Sequence, residues 1–289
     1  MNRPGSLNQS LADVKYEQYI NNLHDRLPSL IDPSDIDCNR WPWELVQNAK
    51  DTVVHRTPEN RFVDITFRYF KDSNDNRKLC FKHNGAQFSD KAITGLIWKF
   101  SAEKRNEQTT EDGLTRDKQS TGRFGTGFMT THALSLTVDI EGSMYNADKG
   151  VERNVSVNFT LHREGPTDEK YKEGVQRTEN EMEFDKTPIP IGEELPTKFT
   201  YHLKDDSGIK AAEMGLANVR LNAAQTMLFC PTVRSITVID EINQKRFNII
   251  RSNADDTKGQ VKVTTFTEKS SDCQDDNIRK NECPQVANQ

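Results

Sequence analysis

The chain has 289 residues, enough for one large α/β domain or for one domain and the start of a second, and folding at this length buries roughly 75% of the unfolded surface. Only 34% of the residues are hydrophobic and the mean hydropathy is −0.81, so apolar residues must be concentrated in the elements while polar insertions carry the rest. With 44 acidic against 39 basic residues the net charge is −5, which gives no overall positive field for nucleic acid or an anionic membrane.

Residues 1–30 form an N-terminal extension whose stretch from Leu11 to Leu27 spaces its apolar positions as on one helix face, suited to packing on the domain or on a partner chain. Asp35 to Arg40 lead into Trp41-Pro42-Trp43. Proline is tolerated in a first helical turn because its missing N–H has no intrahelical partner there, so the spacing predicts a helix from about Pro42 to His55, ending before Pro58. Trp41 and Trp43 are expected as packing anchors at the helix start. Alternating segments at Phe62 to Phe70 and Lys78 to His83, separated by turn-forming Asp72 to Asn76, predict a hairpin. Ser89 with Asp90 predicts an N-cap for a helix over Lys91 to Phe100.

Ser101 to Thr121 is almost entirely polar and is expected as a mobile loop. Gly122 to Gly127 then breaks the chain before a helix-forming apolar run, Phe128 to Leu136. Strands are expected at Thr137 to Glu141 and Val151 to His162. The acidic, proline-containing stretch from Glu164 to Pro196 is expected as a solvated insertion. A strand at Lys198 to Leu203, a long helix at Ile209 to Phe229 and short strands at Ile236 to Ile239, Phe247 to Ile250 and Val261 to Phe266 follow, then a disordered polar tail, residues 269–289. The five cysteines, Cys38, Cys80, Cys230, Cys273 and Cys283, are odd in number and far apart, without CxxC spacing or a His-rich cluster. That pattern argues against a zinc site or a disulfide framework and for a reducing cytoplasm. The N-terminus has no signal pattern and no stretch approaches the ~20 apolar residues of a membrane span, so a soluble chain is expected.

Two segments carry chemistry. In Glu44-Leu45-Val46-Gln47-Asn48-Ala49-Lys50-Asp51, helical spacing puts Glu44, Asn48 and Asp51 on one polar stripe and Leu45, Val46 and Ala49 toward a core. Such a stripe faces either water or a polar ligand. In Gly122-Arg123-Phe124-Gly125-Thr126-Gly127-Phe128, exposed backbone N–H groups before a helix suit phosphate oxygens, although an ordinary loop-to-helix junction has the same composition. There is no Walker lysine and no strand–helix context for a dinucleotide fold.

The helix E-x-x-x-N-x-x-D, a strand ending in N-G, a polar loop, G-x-x-G-x-G-F and P-T-K-F-T-Y-H-L, in that order over about residues 40 to 205, resemble the motifs of the Bergerat-fold (GHKL) ATPases shared by gyrase, heat-shock chaperones, histidine kinases and MutL. The third and fourth motifs are most similar to the heat-shock-chaperone branch and to sacsin-like N-terminal ATP-binding regions. The resemblance implies an α/β fold of two layers, a mixed, mainly antiparallel sheet with helices on one face. It would span residues 31–230, with 231–268 an extension or the start of a second domain of a larger protein.

The resemblance also implies roles. Glu44 would be the general base for the attacking water, Asn48 would bind Mg²⁺ and through it the phosphates of ATP, and Asp51 would form the adenine end of the pocket. Gly122, Arg123, Phe124, Gly125, Thr126, Gly127 and Phe128 would surround the phosphates, with backbone N–H groups from Gly125 onward holding them. Thr197 would reach the adenine, and Ser101 to Thr121, hinged at Gly113, would close as a lid. Where the family has an aspartate accepting from the adenine amino group, aligning Gly85 places His83, with Asn84 between. Neutral imidazole can accept through one ring nitrogen, and a one-residue shift would put Asn84 there instead. A glycine later in that motif is replaced at or near Gln87. The implied function is a slow Mg-dependent ATPase whose ATP/ADP state controls conformation or homodimerisation. The alternatives are a nucleotide-sensing module that does not cleave ATP and, further off, a histidine kinase catalytic domain.

Overall fold

The computed structural model describes residues 27–54, 56–98, 127–146, 153–165, 167–184, 188–190, 193–251 and 263–269. The N-terminal stretch up to Arg26 and the polar tail after Lys269 lie outside the described residues. Among those described, the α-helices are α1 (Pro28–Ile31), α2 (Asp35–Asp51), α3 (Asp90–Trp98), α4 (Asp168–Phe184) and α5 (Asp206–Phe229). The strands are β1 (Val63–Lys71), β2 (Arg77–His83), β3 (Thr137–Asn146), β4 (Arg153–His162), β5 (Thr197–His202), β6 (Val233–Asp240), β7 (Lys245–Arg251) and β8 (Val263–Lys269). They form one eight-stranded sheet in the order β4-β3-β5-β2-β1-β6-β7-β8. The β1–β6 pair is parallel and the other described pairs are antiparallel. The chain is therefore α/β with a mixed, mainly antiparallel sheet.

Alternation of side chains decides which face the helices cover. Phe67 lies opposite Phe81, Phe81 opposite Phe199, and Phe199 opposite Ile140, and all four are buried. On the other flank Ile65 meets Ile236 and Phe67 meets Val238 on the same buried face. The intervening residues Thr66, Arg68, Lys82, Lys198 and His202 are exposed or half-buried. One apolar face thus packs under α2, α5 and the short helices, and the other stays polar, the usual economy of an antiparallel sheet. The strands after residue 231 extend this same sheet.

Three sequence expectations need correction. The second helix begins at Asp35 rather than Pro42, because Ser34 is its N-cap: the chain there is extended, and the Ser34 hydroxyl accepts from the Asp37 N–H at 3.3 Å. Asp35 and Asp37 then favour the positive end of the helix dipole, and Pro42 sits inside the helix, buried. The acidic stretch after Glu164, expected as a solvated insertion, contains the 17-residue helix α4. Tyr171, Val175 and Thr178 form its buried stripe, and Glu181 and Thr178 accept the N–H groups of Thr160 and His162 at 3.1 and 3.0 Å along the outer edge of β4. A helix that satisfies an open sheet edge has a reason to form despite its charge. Finally, the apolar run from Phe128 is a six-residue 3₁₀ helix, Phe128–Ala133, rather than an α-helix.

Cys38, Cys80 and Cys230 are free thiols. No helix among the described residues is long and apolar enough to cross a membrane.

Candidate functional site

Helix α2 is held in place from behind. Its Trp41 is fully buried, packs edge-on against Phe67 with ring centroids 5.9 Å apart, and donates its indole N–H to the Ala211 carbonyl of α5 at 2.9 Å. Trp43 donates to the Asn218 side chain at 2.7 Å. Both tryptophans are anchors, and with Cys38, Leu45, Val46 and Ala49 buried the stripe Glu44–Asn48–Asp51 is left on the other side. That stripe is not a solvated surface. The Glu44 and Asp51 side chains are 14% and 10% exposed, and Asn48 is half-buried.

The glycine motif meets this stripe at Glu44. A methyl group added at Gly127 would overlap the Glu44 Oε2 and lie 2.8 Å from its carboxyl carbon. The other carboxylate oxygen, Oε1, is taken by Arg40 one turn earlier, whose Nε donates at 2.8 Å and whose Nη2 lies at 2.7 Å. Arg40 thus fixes the carboxylate with Oε2 directed at the Gly127 backbone. Phe128, the next residue, packs its ring 5.5 Å from Phe199 and edge-on to His132, which pins the start of the 3₁₀ helix to β5.

The far end of the same helix meets the second motif. A methyl at Gly85 would overlap the Thr52 hydroxyl and lie 2.8 Å from His83 Nδ1. His83 ends β2, is buried, and stands opposite Thr197 at the start of β5, itself buried. Its Nδ1 accepts the Gly85 backbone N–H at 3.0 Å. Burial, with a contribution from the positive charge of Arg56, pushes the His83 pKa down to about 4, so the ring is neutral at physiological pH. Asn84 is turned elsewhere: its amide donates to Asp64 Oδ2 at 2.9 Å and accepts the Asp64 N–H at 2.7 Å, beside the Arg234–Asp64 ion pair. The side chain of Asn84 is thereby committed to the strand edge, whereas that of His83 lies beside Gly85 and Thr197.

Glu44, Gly127 and Phe128 are thus brought together at one end of the α2 stripe, and Gly85, His83 and Thr197 at the other, with Asn48 between and Asp51 in the last turn. Gly122, Arg123, Phe124, Gly125 and Thr126 lie outside the described residues, as does the expected lid, Ser101 to Thr121 with Gly113. Three residues at the site were not singled out from the sequence. Arg40 was legible in principle as the i−4 partner of Glu44, whereas Thr52 against Gly85 and Arg56 near His83 depend on tertiary contact. Among the described residues no group of three or more His, Cys, Asp or Glu side chains is placed to hold a metal ion. The Mg²⁺ expected at Asn48 would need few protein ligands, because a hard ion of this kind is completed by phosphates and water. At both glycines the place of a Cβ is taken by a side chain of the α2 helix or the residue that follows it, Glu44 at Gly127 and Thr52 at Gly85, so each glycine lets its motif close against that helix.

No protein-family model matches the chain, and no curated protein matches it.

Proposed function

We propose that the chain is a Bergerat-type ATP-binding domain that hydrolyses ATP slowly with Mg²⁺, using Glu44 as general base. The observation that carries this is the direct apposition of the Glu44 carboxylate to the Gly127 backbone at the end of the glycine motif. It joins two segments more than 80 positions apart in the chain, which supports the reading because a water-activating carboxylate must lie near the phosphate-binding turn. Bound Mg-ATP would supply the phosphoanhydride and the cation that neutralises its charge. The residues of the chain do the rest. Glu44 would accept a proton from the attacking water, Arg40 holds its Oε1 and so orients the carboxylate, and Asn48 would be the side chain that holds the metal. The backbone N–H groups of the glycine motif would donate to phosphate oxygens, and His83, Gly85, Asp51 and Thr197 would form the base end. Closure over the nucleotide, and control of a homodimer or of further domains by the ATP/ADP state, would be the output.

The Arg40–Glu44 ion pair favours a second reading, a nucleotide sensor that does not cleave ATP, because a carboxylate engaged by a guanidinium is a less available base. Phosphate release compared with nucleotide-dependent thermal shift separates them. For the ATPase, Glu44→Ala should abolish turnover while the thermal shift with Mg-ATP persists. Brisk hydrolysis unaffected by that substitution would remove Glu44 from the chemistry, and a thermal shift with no phosphate release in the parent protein would favour the sensor.

A further inference from the structure

We propose that His83 reads the edge of a bound purine as a hydrogen-bond donor, so that the site favours a base carrying an acceptor at C6, as in guanine or hypoxanthine, over adenine. The inference rests on the nucleotide-binding reading above, keeps its phosphate end and replaces adenine as the preferred base at the other.

The hydrogen bonds around the ring carry it. The Gly85 backbone N–H can only donate, and it points at His83 Nδ1 at 3.0 Å, so Nδ1 bears a lone pair and no proton. A neutral imidazole has one N–H, which must then sit on Nε2. Burial opposes protonation of the second nitrogen, and protonation would also break the Gly85 bond. Gly85 sits close against both the His83 ring and the Thr52 hydroxyl, so the N–H and the ring that accepts it belong to one tightly packed turn. Opposite His83 across the β2–β5 pair stands Thr197, whose hydroxyl can donate or accept and so does not force a choice of base.

A 6-amino group presented to Nε2–H sets donor against donor, and a 6-keto oxygen presented there is paired. Leaving a buried donor unpaired corresponds to a loss of roughly ten- to a hundredfold in affinity. The His83 ring therefore inverts the readout that a carboxylate at this position would give.

The test measures dissociation constants of ATP, ITP, GTP and purine riboside triphosphate, which has no 6-substituent, on the full chain with Mg²⁺. ITP and GTP are expected to bind about tenfold tighter than ATP, with the unsubstituted purine between. Tighter binding of ATP than of ITP and the unsubstituted purine, or equal binding of all four, overturns the proposal and leaves the nucleotide reading standing. Failure of all four to bind overturns both. His83→Asp, which substitutes an acceptor, is expected to reverse the order in favour of ATP. Because a buried carboxylate can unfold the chain, ¹⁵N chemical shifts of the His83 ring in the unsubstituted protein give an independent arm: the Nε2–H form is expected, and the Nδ1–H form overturns the proposal.

Discussion

Gly127 has ordinary right-handed helical angles, φ −63° and ψ −44°, which any residue adopts, so backbone freedom is not what the position demands. What it demands is space, because the Glu44 carboxylate occupies the place of a side chain. Gly127→Ala is therefore a test of function more than of folding. The atoms displaced are the flexible end of Glu44, so stability should fall by no more than about 1 kcal/mol, well short of a core overpacking penalty. Turnover should nevertheless be lost, because the carboxylate is driven off the backbone it faces. Chemical denaturation alongside phosphate release checks this, and parental turnover in the Gly127→Ala variant would disconnect the contact from activity. At this scale the residue types of the site were legible in the sequence. Of the partners that orient them, Arg40 follows from i,i+4 spacing on the helix, whereas Thr52 and Arg56 acquire meaning only from distances.

Among the elements, α2 sets the site and α5 sets α2. The two helices approach so closely at Gly215 that an added methyl would run into the Trp41 indole, 2.5 Å from Cζ2. Here nothing flexible gives way: the indole is fully buried and tied to Ala211. Gly215→Ala should cost about 1–3 kcal/mol or more, measured by urea denaturation, in contrast to the mild effect at Gly127. A stability loss within error would mean that α5 can slide on α2. Helices and strands with a clean apolar period were visible before any coordinates. The exceptions are instructive. The start of α2 hid behind Pro42, which dominated the local signal although Ser34 and two aspartates already formed a cap. Helix α4 hid behind its acids, because its buried stripe is short and two of its polar side chains serve an edge strand rather than water.

Across the whole molecule, burial imposes a pH response. His83 and His132 are held neutral, each with its pKa pushed down to about 4 by burial and secondarily by the nearby Arg56 or Arg163. In the unfolded chain both titrate near ~6.5. Between these values the unfolded state takes up protons that the folded state does not, so ΔG of unfolding rises with pH. Their contribution is complete above about pH 6.5 and is lost as pH falls toward 4, on the order of 3 kcal/mol for each ring at most. Ring proton resonances of both histidines should stay unshifted down to about pH 5. Titration near the free value would show that the rings are hydrated. The sequence by itself determined the alternation of the strands, the polar stripe of one helix and the coarse α/β class, because each depends on periodicity over a few residues. Only tertiary structure decided that β6 lies parallel to β1, so that the C-terminal strands extend one sheet, that Glu44 faces Gly127, and that His83 gives its acceptor nitrogen to Gly85. Those outcomes depend on through-space distances between segments far apart in the chain, and no local pattern of residue types encodes a distance.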